Sequence, residues 1–133
     1  MPTKMNKHLL LILLSISFLL AFSQCGNTVD EELKKTAEFA NKRCPQAVDN
    51  FTRLDSVNAI PGETYRFNYT VSHLTIADAE SVKNVLKPEL IKNIQIDPSM
   101  KFFRENNVTL EYYYRDEVKS DLFNIVITPS EYK

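Results

Sequence analysis

The chain has 133 residues and two cysteines, with sixteen basic against seventeen acidic side chains, a formal net charge of −1 at pH 7. That length fits one domain, and two cysteines exclude a disulfide scaffold. The charge balance excludes an electrostatic nucleic-acid surface and a polybasic grip on anionic lipid.

Lys4 and Lys7 precede an apolar run of 14 residues, Leu9 to Phe22 ("LLLILLSISFLLAF"). A spanning helix needs roughly 20 apolar residues, so the run is short for a permanent anchor. A basic start, a short apolar stretch and small residues at its exit predict a cleaved signal peptide of bacterial type over residues 1–24. Two cuts compete. Ala21-Phe22-Ser23 is a small-x-small site that frees Gln24. Cys25 stands where a lipoprotein carries its acyl chains, although Gln24 and Phe22 depart from the usual neighbours of such a cysteine. We expect lipidation of Cys25, residues 25–32 as a polar tether, and one domain over residues 33–133. No nucleic-acid partner is expected; the membrane contact is the lipid anchor.

The spacing predicts a helix with Asp30 as N-cap and Glu31 and Glu32 in the first turn, where the helix dipole favours negative charge. Leu33, Ala37, Ala40 and Cys44, with Phe39 beside them, form its apolar stripe. Pro45 ends it. "LDSVNAI" offers Leu54, Val57 and Ile60 as a strand. Pro61-Gly62 is a turn dipeptide. "ETYRFNYTVSH" then alternates Tyr65, Phe67, Tyr69 and Val71 against Arg66, Asn68, Thr70 and Ser72, which completes an antiparallel hairpin.

A second helix follows over "TIADAESVKNVLKPELIKNIQI", capped by Thr75 or Asp78. Ala79, Val82, Val85, Leu86 and Leu90 mark its buried face, and Pro88 either kinks it or starts a new helix. "DPSMKFFREN" reads as a short helix capped by Asp97, with Pro98 first and Met100 and Phe103 inward. Val108, Leu110, Tyr112 and Tyr114 alternate with Thr109, Glu111, Tyr113 and Arg115. Phe123, Ile125 and Ile127 alternate with Leu122, Asn124 and Val126. A polar turn joins these two runs into a second hairpin. The order α-β-β-α-α-β-β predicts an α+β two-layer sandwich: a four-stranded antiparallel sheet with helices on one face.

Candidate chemistry is sparse. His73 is the one histidine after the leader, at a strand end, and no spacing marks a nucleophile or orienting partner for it. A Cys44–His73 dyad is the sharpest catalytic reading, opposed by the place of Cys44 on a buried stripe. The pattern contains no nucleophile elbow, zincin helix or phosphate loop. It also lacks a calcium loop and a zinc ligand set, so no cofactor or metal is expected. The sequons at Asn50, Asn68 and Asn107 carry no weight behind a bacterial leader. Tyr113 points opposite to Tyr112 and Tyr114, and is a candidate partner contact on the outer sheet face.

The stretch "CPQAVDNFTRLDSVNAIPGETYRFNYTV" (Cys44 to Val71), the later "PELIKNIQIDPSMKFFRENNVTLEYYYRDE" and the terminal "ITPSEY" resemble a group of small exported bacterial proteins of unknown function. That group shares a P-x-x-V-D-x-x-T-R-L-D-S core, and its members are often described as lipoproteins. The resemblance implies export and the same fold, and no activity. Many members carry cysteines where Gln95 and Tyr132 stand here, which implies that this chain lacks their C-terminal disulfide. Within the shared stretch, Arg53 is expected to pair with Asp49 or Asp55; its second role is a fork for a ligand carboxylate.

These readings converge on an envelope lipoprotein with a small non-catalytic binding or accessory domain. The alternative is a soluble periplasmic or secreted protein with a Cys25–Cys44 disulfide. A small hydrolase or thiol enzyme is the third.

Overall fold

The structure is a computed structural model and describes residues 28–133. Helix α1 (Val29–Asn41) begins within the stretch read as tether, and its N-cap is Thr28, not Asp30. Thr28 Oγ1 accepts from the Glu31 N–H at 3.3 Å, and the Glu31 carboxylate accepts from the Thr28 N–H at 3.3 Å. This reciprocal box satisfies two free amides at the helix start. Asp30 is thereby released for another task. Its carboxylate accepts from the backbone N–H groups of Gly62 (3.1 Å) and Glu63 (2.7 Å), pinning the helix to a distant turn.

Leu33 and Ala37 are buried as expected, whereas Phe39 is exposed. Cys44 does not belong to the stripe, because α1 stops at Asn41. The Asn41 side chain explains the stop. It donates to the Val57 carbonyl (2.9 Å) and accepts from the Val57 N–H (2.8 Å), so it is drawn onto a strand. Cys44 lies half-buried in the following turn, before a cis peptide bond to Pro45.

Five strands form one sheet, in spatial order β1 (Gln46–Ala47), β2 (Thr52–Ile60), β3 (Thr64–Val71), β4 (Thr109–Arg115) and β5 (Asp121–Ile127). The expected hairpins are both present, as antiparallel β2–β3 and β4–β5 pairs. The sheet itself differs from the four-stranded antiparallel expectation. A short edge strand, β1, pairs with β2, and β3 pairs with β4 in parallel. The cause is the helical segment between the hairpins. It carries the chain back to the starting end of β3, and a crossover of this kind delivers a parallel neighbour.

Register sorts the side chains into rungs. On one face lie Ala59–Tyr65–Leu110–Ile127, then Val57–Phe67–Tyr112–Ile125, then Leu54–Tyr69–Tyr114–Phe123. Helices α1 and α2 (Ile76–Ile96) pack on this apolar face, α1 against β2 and α2 against β5. Tyr65, Leu110, Ile125, Ile127 and Leu33 are almost wholly buried. The aromatic rows stack across the strands: Phe67 on Tyr112 (5.0 Å), Tyr69 on Tyr114 (4.9 Å) and Tyr114 on Phe123 (4.6 Å). Such pairs add to simple burial.

Helix α2 runs unbroken through Pro88. Ala79 is buried and Leu86 and Leu90 pack on the core, but Val85 is 72% exposed, which corrects its placement on the buried face. Thr75 is the N-cap residue. A tight turn (Pro98–Met100) capped by Asp97 leads into α3 (Lys101–Glu105), with Met100 and Phe103 buried. Arg104 donates to the carbonyls of Ile94 and Asp97, satisfying the C-terminal end of α2. Helix α4 (Pro129–Tyr132) ends the chain, and the Tyr132 hydroxyl donates to the Val108 carbonyl at 2.8 Å. Among the described residues no helix is long and apolar enough to cross a membrane.

Candidate functional site

The sheet's second face is polar. Its rungs are Asn58–Arg66–Glu111–Val126, Ser56–Asn68–Tyr113–Asn124 and Arg53–Thr70–Arg115–Asp121. The core helices lie against the opposite face, so these side chains meet solvent or one another.

Hydrogen bonds tie these side chains within and between rungs. Arg66 Nε donates to Glu111 at 2.7 Å. Asn68 Nδ2 donates to Asn58 (2.7 Å) and to Ser56 (3.2 Å). In the third rung, a register shift between Leu54 and Ser56 places Asp55 as an extra residue in β2. Such a bulge re-aims side chains. Asp55 accepts from Arg53 Nε at 2.6 Å and from the Thr70 hydroxyl. Burial pushes the Asp55 carboxyl up. The hydrogen bonds from Thr70 and Arg53, together with the charges of Arg53 and Lys119, outweigh this and hold it below its ordinary value.

Arg53 therefore pairs with one of its two expected partners. Asp49 turns elsewhere, accepting from the N–H groups of Phe51 (2.7 Å) and Thr52 (2.8 Å), and the Phe51 bond leads in lowering its carboxyl. Tyr113 is half-buried rather than free: its ring lies under Arg115 (4.8 Å) and beside Arg66 (5.7 Å). The structure thus sets Tyr113 and Arg53 on one face, with Tyr113 as a platform for Arg115.

Two open clefts meet at Arg53. One, of 560 Å³, extends over the outer face past Asn68 and Thr70 to Arg115 and Lys119. The other, of 420 Å³, lies toward Asp49, Phe51, Ser72 and Glu117. Sequence reasoning missed Arg115 and Lys119. Alternation put Arg115 on the outer face, but only the β3–β4 register makes it the rung-mate of Thr70.

The catalytic candidates do not assemble. His73 makes an edge-on ring contact with Phe51 at 5.8 Å, and among the described residues no hydrogen bond joins it to Cys44. Burial, with the charge of Asp55 adding to it, pushes the Cys44 thiol up and disfavours the reactive thiolate. Among the described residues, no group of three or more histidine, cysteine, aspartate or glutamate side chains is arranged to hold a metal ion. Cys25 lies outside the described residues.

Residues 27–123 match the model of a family described as a domain of unknown function, DUF8479, and the chain belongs to that family. No curated protein matches the sequence. Three solved structures are similar in fold. One is a protein of Pseudomonas aeruginosa inferred to be secreted, with a TM-score of 0.61 at 13% identity, over 82% of this chain and 100% of that one. Another is the pilotin of the Vibrio vulnificus type 2 secretion system, with a TM-score of 0.62 at 8% identity, over 79% and 92%. The third is a type II secretion system pilotin of Vibrio cholerae, with a TM-score of 0.58 at 11% identity, over 77% and 91%. At these identities the likeness establishes the fold.

Proposed function

For this member of the DUF8479 family we propose an exported, non-catalytic role in the bacterial cell envelope, in which a small α+β domain binds a partner in support of other machinery. The observation that carries the reading is the fold held in common with two type II secretion pilotins over most of both chains. The leader pattern of residues 1–24 supports export. The half-buried, poorly ionising Cys44 and the separately engaged His73 argue against a thiol enzyme. In this reading Cys25 carries the lipid anchor, α1 begins a few residues after it, and the polar sheet face remains open for recognition.

The test is the fate of Cys25. Expression of the full chain in a bacterial host, followed by membrane fractionation and intact mass analysis, is expected to give an N-terminal acylated cysteine. Cys25→Ala is expected to move the protein to the soluble fraction. An unmodified N-terminus at Gln24 with two protected thiols would instead establish the soluble, Cys25–Cys44 bridged form.

A further inference from the structure

We propose that the Arg53–Thr70–Arg115 rung is a binding site for a small hydroxylated carboxylate, such as a hydroxy acid or sugar acid. Register sets the geometry. Arg53 faces Thr70 across β2–β3, and Thr70 faces Arg115 across β3–β4. Two strand spacings separate the arginine backbones by about 10 Å, and both side chains rise on the same face. A carboxylate above Thr70 lies within reach of both forks.

Both guanidinium groups are held in place but incompletely used. Arg53 spends its Nε on Asp55, which is itself fixed by Thr70. No other hydrogen bond from Arg53 is formed among the described residues, so its terminal N–H groups stay available. Arg115 lies over the Tyr113 ring at 4.8 Å. Its nearest carboxylate, Asp121, stands 3.6 Å from Nε. That separation is an ion pair but too long for a hydrogen bond. Arg115 Nε is buried without a hydrogen-bond partner, so contact with a ligand falls to the terminal N–H groups of this part-exposed side chain, from which no hydrogen bond is formed among the described residues. An arginine packed on an aromatic face loses little freedom on binding, which favours bidentate capture of a planar carboxylate.

Charge and lining select the ligand further. Lys119 lines the same cleft. Within this cleft Arg53, Arg115 and Lys119 face Asp55, and Asp121 stands beside Arg115, which leaves one uncompensated positive charge there; Asp49 and Glu117 lie toward the adjoining cleft. A monocarboxylate neutralises that charge, whereas a phosphate dianion overshoots it. The cleft of 560 Å³ is floored beyond the rung by Ser56, Asn58 and Asn68. The Asn68 amide group already donates to Ser56 and Asn58. Its carbonyl oxygen accepts no hydrogen bond among the described residues, which leaves an acceptor for ligand hydroxyls. A cleft so polar suits a hydroxylated body better than an aliphatic one.

The test is an amide chemical-shift titration of the purified protein at fixed ionic strength with four probes: gluconate, acetate, sorbitol and inorganic phosphate. Gluconate is expected to shift the amides of Arg53, Thr70 and Arg115 with a Kd on the order of 1 mM or tighter. Acetate is expected to shift the same amides more weakly, sorbitol to leave them in place, and phosphate to bind less tightly than gluconate. Arg53→Gln and Arg115→Gln are each expected to weaken gluconate by at least about tenfold, the loss of a charge-assisted hydrogen-bonded pair. If Arg115→Gln fails to fold, Lys119→Gln serves in its place, with an expected severalfold loss. Absence of gluconate shifts at the rung overturns the proposal. So does tighter binding of phosphate, or gluconate affinity unchanged by the substitutions. None of these outcomes depends on export or on Cys25.

Discussion

Replacing Asn41 by alanine tests whether one side chain closes the edge of the sheet. β1 covers β2 only at Arg53 and Leu54. Farther along β2, the backbone of Val57, a residue 1% exposed, has Asn41 as its outward partner through bonds of 2.8 and 2.9 Å. Asn41→Ala removes both bonds. At about 0.5–1.5 kcal/mol net for each, the expected loss is about 1–3 kcal/mol. Alanine gains at most about 0.7 kcal/mol in helix propensity, which leaves the sign unchanged. Urea unfolding is expected to show a lower midpoint at unchanged slope, and thermal unfolding a Tm lower by roughly 4 °C for each kcal/mol lost. Asn41→Asp sharpens the test. It keeps an acceptor for the Val57 N–H but sets a carboxylate oxygen against the Val57 carbonyl, so it is expected to destabilise at least as much. Both variants unfolding at the parent's urea midpoint would falsify the edge-closing role.

Asp30 gives a pH signature. Hydrogen bonds from Gly62, then Glu63, hold its carboxyl below 3.8 in the folded protein. The stability this contributes is present above that ordinary value and is lost as pH falls through the lowered one. Urea midpoints measured down a pH series are expected to fall less steeply for Asp30→Asn than for the parent. At alkaline pH the tyrosines act in the opposite sense. Burial pushes Tyr65 and Tyr69 up to about 12, and Tyr112 and Tyr114 higher still. The unfolded chain therefore loses protons first, and stability declines as pH rises above about 10. Phenolate absorbance of the native protein is expected to lag that of the denatured protein, and coincident curves refute the burial. Tyr132→Phe removes the bonds from its hydroxyl to the Val108 (2.8 Å) and Phe103 (3.3 Å) carbonyls. Chemical unfolding is expected to register a loss of about 1–2 kcal/mol.

Local order was legible in the sequence wherever one face of an element had to be apolar. The alternation from Tyr65 to Val71, from Val108 to Arg115 and from Leu122 to Ile127 specified which side chains enter the core, because a strand's side-chain period is two. The Pro61-Gly62 turn was equally plain, and Gly62 holds φ +92 there, a conformation that side chains resist. The failures fall where a side chain had several partners of equal local merit. Asp30 could cap its own helix or reach a distant turn, and Thr28 with Glu31 took the nearer task. Cys44 matched the helical spacing, but the helix ends at Asn41, whose side chain bonds the Val57 backbone.

Alternation names a residue's face and says nothing of its neighbour. Whether β3 met β4, and in which direction, depended on how the long crossover packed on the apolar rungs. That same choice put Thr70 between Arg53 and Arg115, two arginines 62 residues apart in the chain. Composition and period carried the two hairpins, the main helices and most of their buried faces, since these follow from local pattern. The parallel pairing, the closed edge at Asn41 and the arginine rung came from packing. Each of those depends on contacts between distant segments, whose free energies no local pattern records.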